Sequence, residues 1–585
     1  MIAVITEKQG IAKSMARAMG ISENRDGHFR GNGYALTWTT ENPLSLFLPQ
    51  DQAGRRIRLS SLPLLPDNFP LALRKTTGRK GRNIADKAAL KQLKVISMLL
   101  GECDSIINAT DMSGDGEALF RYVYFYLQCE KPVRRLCVNS LSAKAIREGF
   151  GNLAAAHKYD SLFTAADCRR KSDLLLPANV NLALGITSGI SHTFTHRLEI
   201  PVLALVCKRF FERREFKAAR FYRHSVTLKK DGKFQIYAAA CDNHDRGEAE
   251  AVYERLKTCP KAWVGKVERR TGRQEPPLPY SLVTLQKDAG ERYGYTAANT
   301  FEIARSLYEK ALITFPETLS RHIPETVFAS IPGLIGKTGL IIPGFKDCAK
   351  RMNRESLNRQ CVDEGKTSGR CAILPTGIIP EYLTREEKKI YRMIAGRLLE
   401  AFSPASEKES VKTEINCGGY MFRASTLRVL SRGWRSVLSL PRDREEHELD
   451  DTAQIPSFEE GEAADISGYN LVGKKTMPPS LHSEGSLLQE LHDTGLARAT
   501  DPLDVIEKLI REGYIDRSGK ILFPTERGLV ACHAVGEMRI ADIGLAAGWE
   551  QALESVENGE IPGETYMKAI KIHAGQVTDE IIRQQ

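Results

Sequence analysis

None of the 12 cysteines in this 585-residue chain forms a Cys-x-x-Cys pair. A zinc ribbon needs such paired thiolates to build a tetrahedral site, so none is expected, and scattered cysteines read as small core residues. No apolar run approaches the roughly 20 residues of a membrane-spanning helix, so no membrane partner is expected. The opening Met1-Ile2-Ala3-Val4-Ile5-Thr6-Glu7 lacks the basic start of a signal peptide and reads as a first β-strand, which points to the cytoplasm. Internal repeats and low-complexity tracts are also missing.

What is present fits a folded protein of several domains. Charged residues make up 27% and hydrophobic residues 42% of the chain, and its length exceeds what one core can organise. The net charge is +10, from 83 basic and 73 acidic residues. That mild excess is compatible with phosphate binding. The clusters Arg74–Arg82 and Lys208–Arg223 are better evidence for it, with solvated faces as the alternative reading.

The first 150 residues alternate short apolar strands with helical patterns, which predicts an α/β layer around a mainly parallel sheet. Strands are expected at Ile2–Thr6, Tyr34–Thr39, Ser105–Thr110 and Arg135–Asn139, and helices at Ile11–Met19, Asp86–Gly101 and Glu117–Gln128. Residues 153–210 read as helical, and 217–270 contain β-like runs. The Pro-rich break Glu275–Pro279 precedes two helices, Leu282–Tyr293 and Ala297–Lys310. A further helix is expected at 385–402, strands over 411–437, an acidic surface loop at Glu445–Asp465, and helices again at Leu487–Thr494 and Asp504–Gly513.

Two segments carry candidate chemistry. Thr110-Asp111-Met112-Ser113-Gly114-Asp115-Gly116-Glu117 follows an apolar strand, and Glu7-Lys8 follows the first strand. Ligands sit at the carboxyl ends of parallel strands, and carboxylates gathered there suit Mg²⁺, which prefers oxygen donors. The alternative is that Asp115 and Glu117 favour a helix N-terminus. The second segment, Leu312-Ile313-Thr314-Phe315-Pro316-Glu317-Thr318-Leu319-Ser320-Arg321, places an aromatic ring between β-branched and turn residues, where an ordinary core role is the plain reading.

Together these segments resemble type IA DNA topoisomerases, and within them the topoisomerase III branch. Ile107–Asp111 with Gly116-Glu117 is similar to the family's Toprim signature, usually Ala-Thr-Asp-x-Asp-Arg-Glu-Gly-Glu, and Glu7-Lys8 matches the Glu-Lys after its first strand. Lys131–Leu136, Asn139–Leu141 and Ala145–Phe150 resemble the same branch, as do Pro277–Leu282 and Ile303–Lys310. The 312–321 segment resembles the family's Ile-Thr-Tyr-Pro-Arg-Thr-Asp-Ser run, whose tyrosine attacks DNA to form a phosphotyrosine. Here Phe315 holds the tyrosine's place, Glu317 that of the phosphate arginine and Leu319 that of the aspartate. Ser113 and Gly114 replace the second Toprim aspartate and its arginine, and Asp115 shortens a glutamate. Arg197 and Glu199 fall in a run resembling Gly-Arg-Val-Gln-Thr-Pro, Leu182 stands where an arginine is usual, and Arg370 stands where a histidine belongs before Ala372-Ile373-Leu374-Pro375-Thr376. The family's Gly-Thr-x-Ala-Thr-Arg run is missing from Ala497–Leu503.

The resemblance implies a multidomain α/β plus α+β toroid. Its parts would be a Toprim domain at 1–152, a helical domain at 153–215 and 476–585, a β-rich arch at 216–275 and 401–475, and a helical domain bearing Phe315 at 276–400. It implies catalytic positions at Phe315, Glu7 and Lys8, DNA-binding groups at Arg197, Arg321 and Arg370, and a weakly held Mg²⁺ on Asp111, Asp115 and Glu117. The expected function is binding of single-stranded DNA with strand cleavage lost or strongly reduced, because a phenyl ring has no attacking oxygen. The alternatives are an active topoisomerase relaxing negatively supercoiled DNA with Mg²⁺, and a metal-dependent Toprim nuclease.

Overall fold

The computed structural model describes all residues except 41, 49–57, 78–82, 139, 190, 353–354, 368–369, 439–456, 497–501 and 585. The basic run Arg74–Arg82, the acidic stretch Glu445–Asp465 and the run Ala497–Leu503 therefore lie partly outside the described residues.

The N-terminal part is built on a seven-stranded sheet. Its order is Ala154–Ala155, Val133–Arg135, Ser105–Asn108, Ile2–Thr6, Tyr34–Trp38, His28–Gly31 and Glu23–Arg25. The four strands from Val133–Arg135 to Tyr34–Trp38 are mutually parallel, as the strand–helix alternation predicts. Ile2–Thr6 is buried from its second residue onward, because helices cover both faces of a parallel sheet. Ile5 pairs with Asn108, so the first strand and Ser105–Asn108 end side by side, and the turns after them must share one small volume.

The helix after Ser105–Asn108 begins earlier than its apolar pattern indicates. It spans Gly114–Tyr126, with Ser113 as N-cap accepting a hydrogen bond from the Gly116 amide at 2.9 Å. A serine cap satisfies an otherwise orphaned amide, and polar cap residues are invisible to hydrophobic periodicity. The strand expected at Arg135–Asn139 lies instead at Val133–Arg135.

The helix Asp160–Thr187 runs past this sheet and packs against Gly114–Tyr126, Ile543–Glu557 and Gly563–Arg583. Asn179 on it is buried and bonds the Leu64 backbone twice, accepting from its amide at 2.6 Å and donating to its carbonyl at 3.0 Å. One large apolar core joins residues of 180–207 with residues of 487–581, so the first and last thirds of the chain share a helical body.

Six antiparallel strands close a barrel in the order Arg220–Lys230, Lys233–Ala239, Tyr420–Ser431, Ser406–Cys417, Lys261–Gln274 and Ala463–Lys475. They come from two separate stretches of chain, and closure leaves no unpaired sheet edge. The helix Arg246–Lys257 in the first stretch was not expected from β-like runs. A third body carries the helices Leu282–Tyr293, Ala297–Glu309 and Arg385–Phe402, each starting at a Ser or Thr cap. No described helix is long and apolar enough to cross a membrane.

Burial has a measurable consequence at His573. Its ring is 6% exposed and lies 5.4 Å from Trp549, and burial pushes its pKa down from the usual 6.5 to about 4. The unfolded chain therefore takes up this proton first as pH falls. The contribution is fully present above pH 6.5 and is lost as pH falls toward about 4, on the order of 3 kcal/mol in all. His573→Gln should flatten that window in denaturant titrations run near pH 7 and about pH 5; an unchanged pH dependence would contradict the assignment.

Candidate functional site

Glu7 and Asp111 meet because the two central parallel strands end together. The Asp111 amide donates to Glu7 Oε1 at 3.3 Å. Burial, then the charge of Asp111 and a hydrogen bond with it, then the charge of Glu317, raise the Glu7 pKa well above the carboxylate range. Burial pushes Asp111 upward too, but the Arg370 charge and hydrogen bonds from Glu7 and from Ser113 outweigh it and leave Asp111 low. The pair thus holds one proton, on Glu7, and one negative charge, on Asp111. Gly116 makes the turn possible, since a Cβ there would stand 2.5 Å from Asp111 Oδ1 and 2.6 Å from its carbonyl oxygen.

Phe315 comes to this pair through backbone lacing. The Thr314 amide donates to the Leu374 carbonyl at 2.8 Å, and its hydroxyl donates to the Ala372 carbonyl and accepts from the Leu374 amide, both at 2.9 Å. That lacing sets the 370–375 segment beside Phe315. The Arg370 guanidinium stacks over the Phe315 ring at 4.7 Å, donates to the Glu317 carbonyl, and pairs with Asp111 Oδ1 at 3.4 Å. Tyr308 meets the other side of Phe315 edge-on at 5.3 Å. Ala109, Asp111, Met112, Tyr308, Phe315 and Arg370 share a small cavity of about 30 Å³, room for about one water.

Tyr308 brings a phenolic oxygen to the lining of this cavity. Burial first, then the charges of Asp111 and Glu7, push its pKa far above the usual value. It therefore stays a neutral phenol at neutral pH. In the sequence it lies within Ile303–Lys310 with no role attached, and only its three-dimensional place puts it in the centre.

Each of the three carboxylates expected to hold Mg²⁺ faces an arginine. Asp115 and Glu117 lie in the first turn of the helix that Ser113 caps, as the helix-terminus reading has it. Glu117 is 2% exposed and is taken by Arg121 at 2.8 Å, Arg135 at 3.2 Å and the Asn108 amide group at 2.9 Å. Asp115 pairs with Arg170 at 2.9 Å, and Asp111 with Arg370. Among the described residues no group of three His, Cys, Asp or Glu side chains is arranged to hold a metal ion. Each carboxylate already has a protein cation, so a divalent ion would have to displace an arginine. Arg135 and Arg170 went unnoticed because nothing in their spacing ties them to the acidic turn, whereas Arg121 stands four residues after Glu117 on one helix, a spacing that could have found it.

The other two arginines expected to bind DNA have protein partners. Arg197 is 4% exposed and buried between Asp173 and Glu550, whose charges outweigh desolvation and hold it protonated. Arg321 donates to the carbonyls of Pro279 at 3.2 Å and Leu278 at 3.1 Å. Burial and the Arg397 charge lower its pKa. In this arrangement both brace neighbouring segments. Lys8 is partly exposed and stands 3.7 Å from Glu309.

A family model described as DNA topoisomerase matches residues 157–568. The chain is 26% identical over 608 residues to DNA topoisomerase 3 of Bacillus subtilis, covering 99% of this chain and 81% of that protein. DNA topoisomerase 3 of Bacillus cereus is similar to the same degree, at 26% over 610 residues with the same coverage. Among solved structures, full-length topoisomerase I of Thermotoga maritima superposes with a TM-score of 0.75 at 19% identity, covering 99% of this chain and 90% of that one. At that identity the likeness concerns the fold.

The carboxylate pairing has a direct test. Titration calorimetry with millimolar Mg²⁺ is expected to show no saturable site in the isolated protein. A saturable site lost in Asp111→Ala would overturn the assignment.

Proposed function

Because the chain belongs to the DNA topoisomerase family, with a type IA toroidal fold and topoisomerase III relatives, we propose that it binds single-stranded DNA without cutting it. The reading rests above all on one observation: the ring at the nucleophile position has no oxygen and is capped by Arg370, which is itself tied to Asp111. Transesterification requires an oxygen nucleophile that attacks phosphorus and later leaves. Phe315 offers only carbon, and Tyr308 is a buried neutral phenol. An arginine at 370 binds anions but does not shuttle protons near neutral pH, where a histidine would.

Binding outlives the loss of chemistry because it needs less. A positively charged groove follows the phosphates, and its affinity falls steeply with salt as counterions are released. Lys8 and Arg370 are the expected cations of this centre that retain a route to a phosphate. The domain limits at 152, 215, 275, 400 and 475 and a cytoplasmic site of action belong to the same proposal. The proposal does not call on Mg²⁺, because Asp111, Asp115 and Glu117 each already face an arginine.

The test combines plasmid relaxation, trapping of covalent protein–DNA adducts and binding to a labelled oligonucleotide. Wild type is expected to give salt-dependent binding, no relaxation and no adduct. Phe315→Tyr alone is also expected to give neither relaxation nor adduct, because Glu317 would repel the phosphate. At 4 Å and an effective dielectric near 20, one such like-charge pair opposes binding by about 4 kcal/mol before screening. Phe315→Tyr with Glu317→Arg is the informative comparison. Relaxation with an adduct in wild type would establish an active topoisomerase, and linear breaks lost in Asp111→Ala a nuclease. Robust activity in the single Phe315→Tyr variant would show that the surrounding replacements matter less than argued.

A further inference from the structure

A groove opens beside the carboxyl pair. It measures about 720 Å³ and is lined by Glu7, Lys8, Trp38, Arg305 and Glu309 among others. Lys8 Nζ and Arg305 Nε each lie 3.7 Å from the same atom, Glu309 Oε1. Arg305 and Glu309 stand one turn apart on the helix Ala297–Glu309, and Lys8 comes from the end of the first strand. An anionic oxygen is thus held between two cations contributed by different bodies of the fold.

That oxygen is loosely held. Both distances exceed hydrogen-bonding range, whereas Lys310 bonds Glu387 at 2.6 and 2.7 Å on the adjoining surface. The Glu309 side chain is 48% exposed, against 28% for Lys8 and 30% for Arg305. Such an exposed pair contributes little stability and yields readily to a better anion. The other charges facing the groove are Glu302, 3.7 Å from Arg305, and Arg74, which pairs with Asp86 at 2.7 Å.

We propose that this groove is a phosphate subsite for a single nucleic-acid strand, formed by Lys8 and Arg305, with the Glu309 carboxylate standing where a phosphodiester oxygen binds. A phosphodiester presents two charged oxygens and draws both cations into charge-assisted bonds of about 2.7–2.9 Å. Glu309 swings out to water when the strand enters. The groove is open and continuous with the centre at Glu7, as a chain ligand requires. The subsite rests on the single-strand reading above and assigns it two residues, Arg305 and Glu309, to which the resemblance of Ile303–Lys310 gives no role.

Fluorescence anisotropy with a labelled oligothymidylate tests it, using wild type, Arg305→Ala and Glu309→Gln, with matched circular dichroism melts to show that each variant is folded. Glu309→Gln is expected to tighten binding several-fold. Arg305→Ala is expected to weaken it and to reduce the slope of log affinity against log salt by about 0.7, the loss of one single-strand phosphate contact. Absence of wild-type binding at low salt overturns both the single-strand reading and the subsite. Wild-type binding that neither substitution alters overturns the subsite alone. Equal competition by inorganic phosphate or a mononucleotide, at matched phosphate concentration, overturns its assignment to a strand.

Discussion

Two carboxyl groups brought together at the ends of adjacent parallel strands need either a shared proton or a cation. In this protein they have both. Glu7 keeps the proton, Asp111 keeps the charge, and Arg370 answers that charge from a separate body of the fold. The rest of the centre follows from this. Once the guanidinium is committed to Asp111 and the Glu317 carbonyl, its flat face covers Phe315. A cation over an aromatic face adds about 0.5–2 kcal/mol, more as water is excluded. The contact is therefore a clasp between the segment bearing Phe315 and the acidic turn of the parallel sheet.

The same balance recurs around the acidic turn. Glu117 rests on Arg121 and Arg135, and Asp115 on Arg170. Removing one member of a buried pair leaves the other charge uncompensated, at a cost of about 3–5 kcal/mol. That cost applies to Glu117, which is buried, and not to Asp115, whose side chain is 69% exposed. Ser113 adds to the rigidity of the turn: its hydroxyl caps the helix and its amide donates to Asp111 at 2.7 Å.

Much of the architecture was legible in the sequence, and the reasons are specific. The parallel sheet showed in runs such as Ile2–Thr6, because buried strands carry continuous apolar residues. Leu282–Tyr293 and Arg385–Phe402 showed because a Ser or Thr cap precedes a 3.6-residue pattern. The early start of Gly114–Tyr126 and the helix Arg246–Lys257 were missed because their first turns are polar. Glu7, Asp111, Phe315 and Arg370, singled out in separate motifs, lie together in the structure. The surroundings of Arg197 and Arg321 were not legible, since a motif says which arginine is present and not which carboxylate or carbonyl faces it. Arg135 and Arg170 beside the acidic turn were illegible for the same reason: their partners are distant in sequence.

That division has a structural basis. The segment bearing Phe315 is positioned by the bonds of the Thr314 amide and hydroxyl to 372–374 and by apolar neighbours such as Ile313, which is fully buried. Those contacts hold the segment without using the Phe315 ring or the Arg370 guanidinium. A side chain at 315 or 370 can therefore change while the lacing stays intact. The two sets of contacts differ in strength as well. Arg370 is committed to Asp111 and the Glu317 carbonyl beside a cavity with room for about one water, whereas Lys8 and Arg305 share one half-exposed carboxylate at 3.7 Å in an open groove. An exposed pair of that kind contributes little stability, so an anion entering the groove displaces it at small cost.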